Sequence, residues 1–211
     1  MRTLRLDDIG ASSKRWEVYS RSWRPLKYVP PFKAWGPYRE MTAGELDRLC
    51  KFVQEAKSQM TVVVTAAWVE ADGTLVPYHH KYPGQAGVLR QWQDRSVIEI
   101  ANHGLTHCQN GHHRPRWTGN RPQHREFVAG MTREDAFKRL SAAQSWLTKA
   151  FGRSPKVFVP PGNLFPVQWA SLLEDASLRL PSPGLVWHDR DFILGGLNPV
   201  PILQAERFTT C

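Results

Sequence analysis

The chain has 211 residues, 41% of them hydrophobic and 22% charged, and carries a formal net charge of +9. Those proportions exclude a globally disordered chain, and no apolar run reaches the length of a membrane span. The length predicts one domain over residues 1–211, and the positive charge favours anionic partners (nucleic acid, acidic glycans, phosphorylated sugars, anionic lipid) without choosing among them.

In chain order, residues 3–6, "TLRL", form the first predicted strand. Residues 42–59 follow as a helix, with Thr42 as N-cap and Glu45 three residues on as its capping-box partner. The β-branched run at 61–69 predicts a buried strand, and 96–101, "SVIEIA", a third. The clearest helix is 131–152, capped by Thr132, with Glu134 and Asp135 in its first turn and Gly152 at its end. Residues 156–160 give a fourth strand stopped by Pro160-Pro161, and 166–177 a helix with Pro at its start. Short late strands are predicted at 184–188, 191–194 and 199–203. Alternating strands and helices imply parallel βαβ units, an α/β sheet or barrel with its active groups at the C-terminal strand ends. Two insert-like stretches interrupt the pattern: 20–41, rich in Pro and aromatics, and 108–127, rich in His and Arg.

Cys50, Cys108 and Cys211 are odd in number and widely spaced, which argues against a disulfide framework and fits a reducing compartment. With no signal-peptide pattern at the start, the expected location is cytoplasmic.

Chemistry-bearing residues stand where strands are predicted to end. Asp7-Asp8 follow the first strand, His103 and His107 the third, Pro160-Pro161-Gly162-Asn163 the fourth, and Trp187-His188 a late one. One carboxylate and two imidazoles make a donor set for a divalent metal with open positions, zinc being the default. A second carboxylate beside the ligand is what a general base requires. Each piece has an ordinary reading as well. An Asp pair after a strand makes turns, His-x-x-x-His occurs by chance, and Pro-Pro-Gly is a common turn. It is the joint occurrence that carries the signal. His112, His113 and His124 read first as a solvated basic loop and otherwise as spare metal ligands or substrate contacts, Cys108 as a small buried residue, and Trp146 and Phe137 as helix core. Trp23, Tyr28, Phe32, Trp35 and Tyr38 either pin a Pro-rich loop or offer flat faces on which a ligand stacks.

In this order the residues resemble the NodB-like polysaccharide deacetylases, in a divergent and poorly characterised branch. The resemblance covers about residues 3–163 and only loosely the remainder. It implies a distorted (β/α) barrel and the metal-dependent removal of an acetyl group from an N-acylated sugar or glycan precursor. The T-F-D-D motif of the family is matched by Arg5-Leu6-Asp7-Asp8, which implies Asp7 as base and Asp8 as metal ligand. The H-[ST]-x-x-H motif is matched by His103-Gly104-Leu105-Thr106-His107, which implies His103 and His107 as further ligands. R-x-P-[YF] aligns with Val159-Pro160-Pro161-Gly162, and L-x-H loosely with Val186-Trp187-His188, which implies His188 as the acid.

The departures are specific. Val159 stands where the family has the arginine that holds the base, so Asp7 must be held by another cation. Gly162 replaces the tyrosine position and retains an amide for an oxyanion, with Asn163 beside it as a substrate contact. Two other readings remain: a basic nucleic-acid-binding module, which the deacetylase resemblance disfavours, and a catalytically inactive barrel that serves as a scaffold. Neither the exact sugar nor the oligomeric state follows from the sequence.

Overall fold

A computed structural model describes residues 3–12, 39–70, 72–108, 126–127, 130–180, 187–189, 192–194 and 202–204. The two insert-like stretches fall almost wholly outside these residues, and with them Trp23, Tyr28, Phe32, Trp35, Tyr38, His112, His113 and His124.

The elements run β1 (Thr3–Ile9), α1 (Ala43–Glu55), β2 (Gln59–Val64), β3 (Ala67–Val69), β4 (Leu75–Pro77), α2 (Tyr78–Lys81), α3 (Pro83–Asp94), β5 (Ile98–Asn102) and α4 (Arg133–Phe151). After α4 come β6 (Leu164–Pro166), α5 (Ser171–Asp175), β7 (Trp187–Asp189), β8 (Phe192–Leu194) and β9 (Ile202–Gln204). The predicted strand over 61–69 is in fact two. β2 ends at Val64, and β3 turns away to pair antiparallel with β4. Helices α2 and α3 were not expected from the sequence. Pro83 opens α3, and Ala86, Leu89 and Trp92 bury its inner stripe. The predicted helix over 166–177 is a 3-10 turn (Val167–Trp169) followed by the short α5.

Helix α1 follows from its sequence. Leu46, Leu49, Cys50 and Val53 recur at helical spacing and are buried, and Thr42 and Glu45 form the capping box. In α4, Thr132 accepts from the Asp135 N–H, and Gly152 ends the helix at φ 72.

The main sheet has the order β5-β2-β1-β9, all parallel. It continues past β5 through parallel bridges from Asn102 to Phe158 and from Val157 to Arg179. The predicted fourth strand is thus a bridge rather than a full ladder, and six parallel segments curl round a common interior. Alternation sorts the residues of each strand. Leu6, Val62, Val64 and Ile100 face the helices and join the main core with Leu46, Leu89 and Leu147. Val63, Ala101, Val157 and Val159 form a small apolar cluster on the other, inner face. Arg5 and Asp7 alternate with Leu6 and lie on that inner face.

A second core gathers Phe127, Phe158, Phe165 and Trp169 with Ala136 and Leu140 of α4. Its rings meet edge to face, at 5.1 Å between the Phe127 and Phe165 centroids and 5.4 Å between those of Phe158 and Phe165. Trp146 packs at the margin of the main core, whereas Phe137 is exposed, contrary to its expected core position. β6, β8 and β7 form a separate antiparallel sheet. No helix among the described residues is long and apolar enough to cross a membrane.

Candidate metal centre

The site lies at the C-terminal ends of β1 and β5, where parallel strands of a barrel converge. Asp7 and Asp8 belong to β1 itself. Successive strand residues point to opposite faces, so the two carboxyls share one site only if the chain bends between them. It does: Asp8 has φ 67, and the pairing of β1 with β2 slips register between Leu6 and Ile9. Gly10, with φ 75, completes the turn, and its N–H donates to the Glu40 carboxylate at 3.1 Å and 3.2 Å.

His103 and His107 leave the end of β5. Asp8 Oδ1 lies 3.0 Å from His103 Nε2 and 3.0 Å from His107 Nε2. The three donor groups lie within 4.8 Å of one another, and both imidazoles are buried. His103 Nδ1 donates to the Val159 carbonyl at 2.7 Å, which leaves the Nε2 lone pair for the centre. Tetrahedral bonds of about 2.0 Å place neighbouring donors roughly 3.3 Å apart, close to the spacing here. The donor set and its spacing therefore fit a divalent cation.

Asp7 is buried, with only 7% of its surface exposed. Its Oδ2 accepts from Arg5 Nη2 at 2.7 Å in a buried ion pair. Residues two apart on a strand share a face, so the partner comes from the same strand. Arg5 is thus the cation that the loss of an arginine at Val159 required. Burial raises the Asp7 carboxyl above the usual range, Arg5 opposes that shift, and Asp8 adds to it. Asp7 Oδ1 has no hydrogen-bond partner among the described residues.

The turn 103–107 is tied down through its main chain. The His103 N–H donates to Val64 O at 3.0 Å, and the Gly104 N–H to Asn102 Oδ1 at 2.8 Å. The Gly104 and Leu105 carbonyls accept from the Ala66 and Ala67 N–H groups. The Thr106 and His107 N–H groups donate to Glu126 Oε2 at 3.0 Å and 3.2 Å. Glu126 is fully buried, with Arg139 Nη1 3.3 Å from its Oε1. Burial raises its pKa, and Arg139 and the two amides pull it back. Gly104 has φ 80, and a Cβ there would overlap Glu126 Oε2 and stand 2.8 Å from Pro161 Cγ. Cys108, next along, is buried and not disulfide-bonded.

Pro160–Asn163 flank the centre through Val159 and Pro161. Gly162 (φ 65) and Asn163 (φ 58) are both left-handed, and the Asn163 N–H donates to Pro160 O at 2.8 Å. Within this turn the amide not so engaged is that of Gly162, an exposed residue. Asn163 Oδ1 has no hydrogen-bond partner among the described residues. His188 sits inside β7, opposite Ile193 of β8, rather than after a strand of the main sheet, and its side chain lies outside the described residues.

Of the predicted site residues, Asp7, Asp8, His103 and His107 therefore converge, and Gly162 and Asn163 stand on the adjoining turn. Arg5 and Glu126 were not anticipated. Arg5 had a legible signal, since a cation two residues before an aspartate in a strand shares its face. Glu126 had none.

Residues 37–181 match the model of the polysaccharide deacetylase family, most of the chain, and the protein belongs to that family. Its fold is the distorted (β/α) barrel of that family, with the parallel sheet described above as its core. No curated protein matches the chain. Solved structures similar to it include a CE4 family pseudoenzyme from Bacillus anthracis, 12% identical over 65% of this chain and 38% of that one, with a TM-score of 0.45. A family 4 carbohydrate esterase from Streptomyces lividans, solved with acetate, is 14% identical over 83% of this chain and 57% of its own, with a TM-score of 0.41. A de-N-acetylase from Aggregatibacter actinomycetemcomitans is 13% identical over 85% of this chain and 84% of its own, with a TM-score of 0.44. The chain spans 38% to 42% of the length of the Bacillus anthracis proteins it resembles.

Proposed function

We propose that the protein is a divalent-metal-dependent deacylase, with zinc the default ion, that removes an acetyl group from an N-acylated amino sugar, alone or within a glycan precursor. The observation that carries this reading is the meeting of Asp8, His103 and His107 around one point, with the Asp7 carboxylate, held by Arg5, on the same strand.

Asp8, His103 and His107 would hold the cation. When bound, it polarises an acyl carbonyl and acidifies water. Asp7 Oδ1 accepts the proton of the attacking water, while Arg5 holds Oδ2 and favours the charged form of the carboxyl against the effect of burial. Attack turns the planar amide carbon tetrahedral, and the Gly162 N–H donates to the oxyanion that develops. Asn163 contacts the sugar beside it. His188 gives a proton to the departing nitrogen, so the C–N bond breaks with release of a neutral amine and an acid. The domain that does this is the whole chain, 1–211.

The test begins with elemental analysis of protein dialysed against micromolar zinc, then turnover of N-acetylated sugars with and without chelator. About one ion per chain and chelator-sensitive deacetylation are expected. A stoichiometry near zero overturns the reading.

A further inference from the structure

We propose that Glu126 is a positioning residue of the metal centre, its carboxylate setting the backbone of the turn that presents His103 and His107. The inference rests on the metal reading above and extends it to a residue that touches neither metal nor substrate.

Glu126 is 0% exposed, an unusual place for a carboxylate, and its partners explain it. A single oxygen, Oε2, accepts from two consecutive amides, Thr106 at 3.0 Å and His107 at 3.2 Å. His107 is itself left-handed, at φ 53. A residue with a Cβ stays in that region only where its surroundings over-determine it. The paired amides supply that constraint at the ligand's own residue.

The arrangement is built from three further sides. Gly104 leaves empty the space that the Glu126 carboxylate fills, so the turn and the carboxylate interlock. Phe127 is buried in the aromatic core, its ring 5.8 Å from Phe158 and 5.1 Å from Phe165, and so fixes the main chain of its neighbour. Arg139 Nη1 stands 3.3 Å from Oε1 and 3.5 Å from Thr106 Oγ1. Neutralising Arg139 does not account for the burial of Glu126, because the Arg139 side chain is 23% exposed and solvated without help. What needs a buried acceptor is the pair of amides.

The experiment compares three substitutions in the full chain. Glu126→Gln keeps a long-reaching acceptor without charge. Glu126→Asp keeps the charge and withdraws the acceptor. Glu126→Ala removes both. Each variant is checked for folding by circular dichroism. Its zinc dissociation constant is then measured by chelator competition, and the visible spectrum of its cobalt form reports ligand geometry. Glu126→Ala should bind zinc about 10–100-fold more weakly, the usual effect of losing a partner behind a ligand, with an altered cobalt spectrum. Glu126→Asp should weaken binding in the same direction, and Glu126→Gln should stay close to wild type in affinity and spectrum. If Glu126→Ala does not fold, the Asp and Gln variants decide alone. Equal damage from Gln and Asp, or a folded Glu126→Ala with wild-type affinity, overturns the proposal. A wild-type protein that takes up no divalent ion overturns the metal reading itself, and this inference with it.

Discussion

Two buried carboxylates flank the same centre, each facing an arginine, and they are equipped for different tasks. Asp7 has one oxygen on Arg5 and the other without a partner among the described residues. Glu126 has both oxygens occupied, one by Arg139 and one by two amides. Burial raises the pKa of both, so charge alone does not distinguish them. The spare acceptor does. A carboxylate with an oxygen to spare can take a proton from a reactant, whereas one whose oxygens are all engaged can only hold shape.

The largest expected effect tests that division directly. Asp7→Asn should cut kcat by roughly 10²–10⁴-fold, the range for a positioned base, and leave metal content nearly unchanged. Asp8→Asn should instead lose metal, because an anionic donor is removed. Metal analysis and kcat on the two variants side by side decide it. Loss of metal in Asp7→Asn with retention in Asp8→Asn would reverse the roles of the pair.

The arginines provide the next test. Arg5→Met strands a buried carboxylate and should cost about 3–5 kcal/mol of stability in denaturant unfolding at neutral pH. Arg139→Met should cost only about 1 kcal/mol, because Glu126 retains two amide donors and Arg139 is partly solvated. Equal losses would erase the distinction between the sites. Gly104→Ala should follow, at roughly 1–3 kcal/mol from the left-handed backbone alone, with weakened metal affinity as the overlapping carboxylate is pushed off its amides.

The smallest effect calibrates the others with a surface pair. Glu45 accepts from Arg39 and from the Thr42 N–H, and these bonds lower its pKa to about 2. Its folded value lies below its unfolded one, so its stabilisation is present above about pH 4.5 and is lost as the pH falls towards 2. Glu45→Gln should cost about 1 kcal/mol or less at pH 7 and nothing near pH 2, as read from unfolding curves at the two pH values.

The sequence made the donor set legible because each ligand sits in a short local pattern at a strand end. The bend that unites Asp7 and Asp8 follows from strand alternation once both carboxyls are assigned to one site, and it falls at Asp8 with Gly10 completing it. The split between β2 and β3 was hidden, because a β-branched run reads as one strand and only the partner of Ala67 ends it. Helix α3 was hidden by two glycines and a proline that read as loop, although Ala86, Leu89 and Trp92 carried a helical stripe. Glu126 was illegible in principle. Its task depends on amides far back in the chain and on an aromatic cluster that exists only after folding. Arg5 was legible, since residues two apart on a strand share a face and its pairing with Asp7 needs no distant partner.

The neighbour of β1 on its far side is β9, with Arg5 opposite Ile202. The strand that carries Asp7 and its arginine is therefore sandwiched between β2, near it in the chain, and β9, far beyond it. During synthesis β1 can dock on β2 while its other edge still lacks a mate. Pairing so remote in the chain is slow to form, because a long loop must close before any contact rewards it. The histidine turn, by contrast, is held by β2, β5, Glu126 and the Val159 carbonyl, with Phe127 packed on Phe158 and Phe165, all of them earlier in the chain than β9. On the ribosome the donor turn would thus mature first, and the base would be locked in only once β9 has emerged.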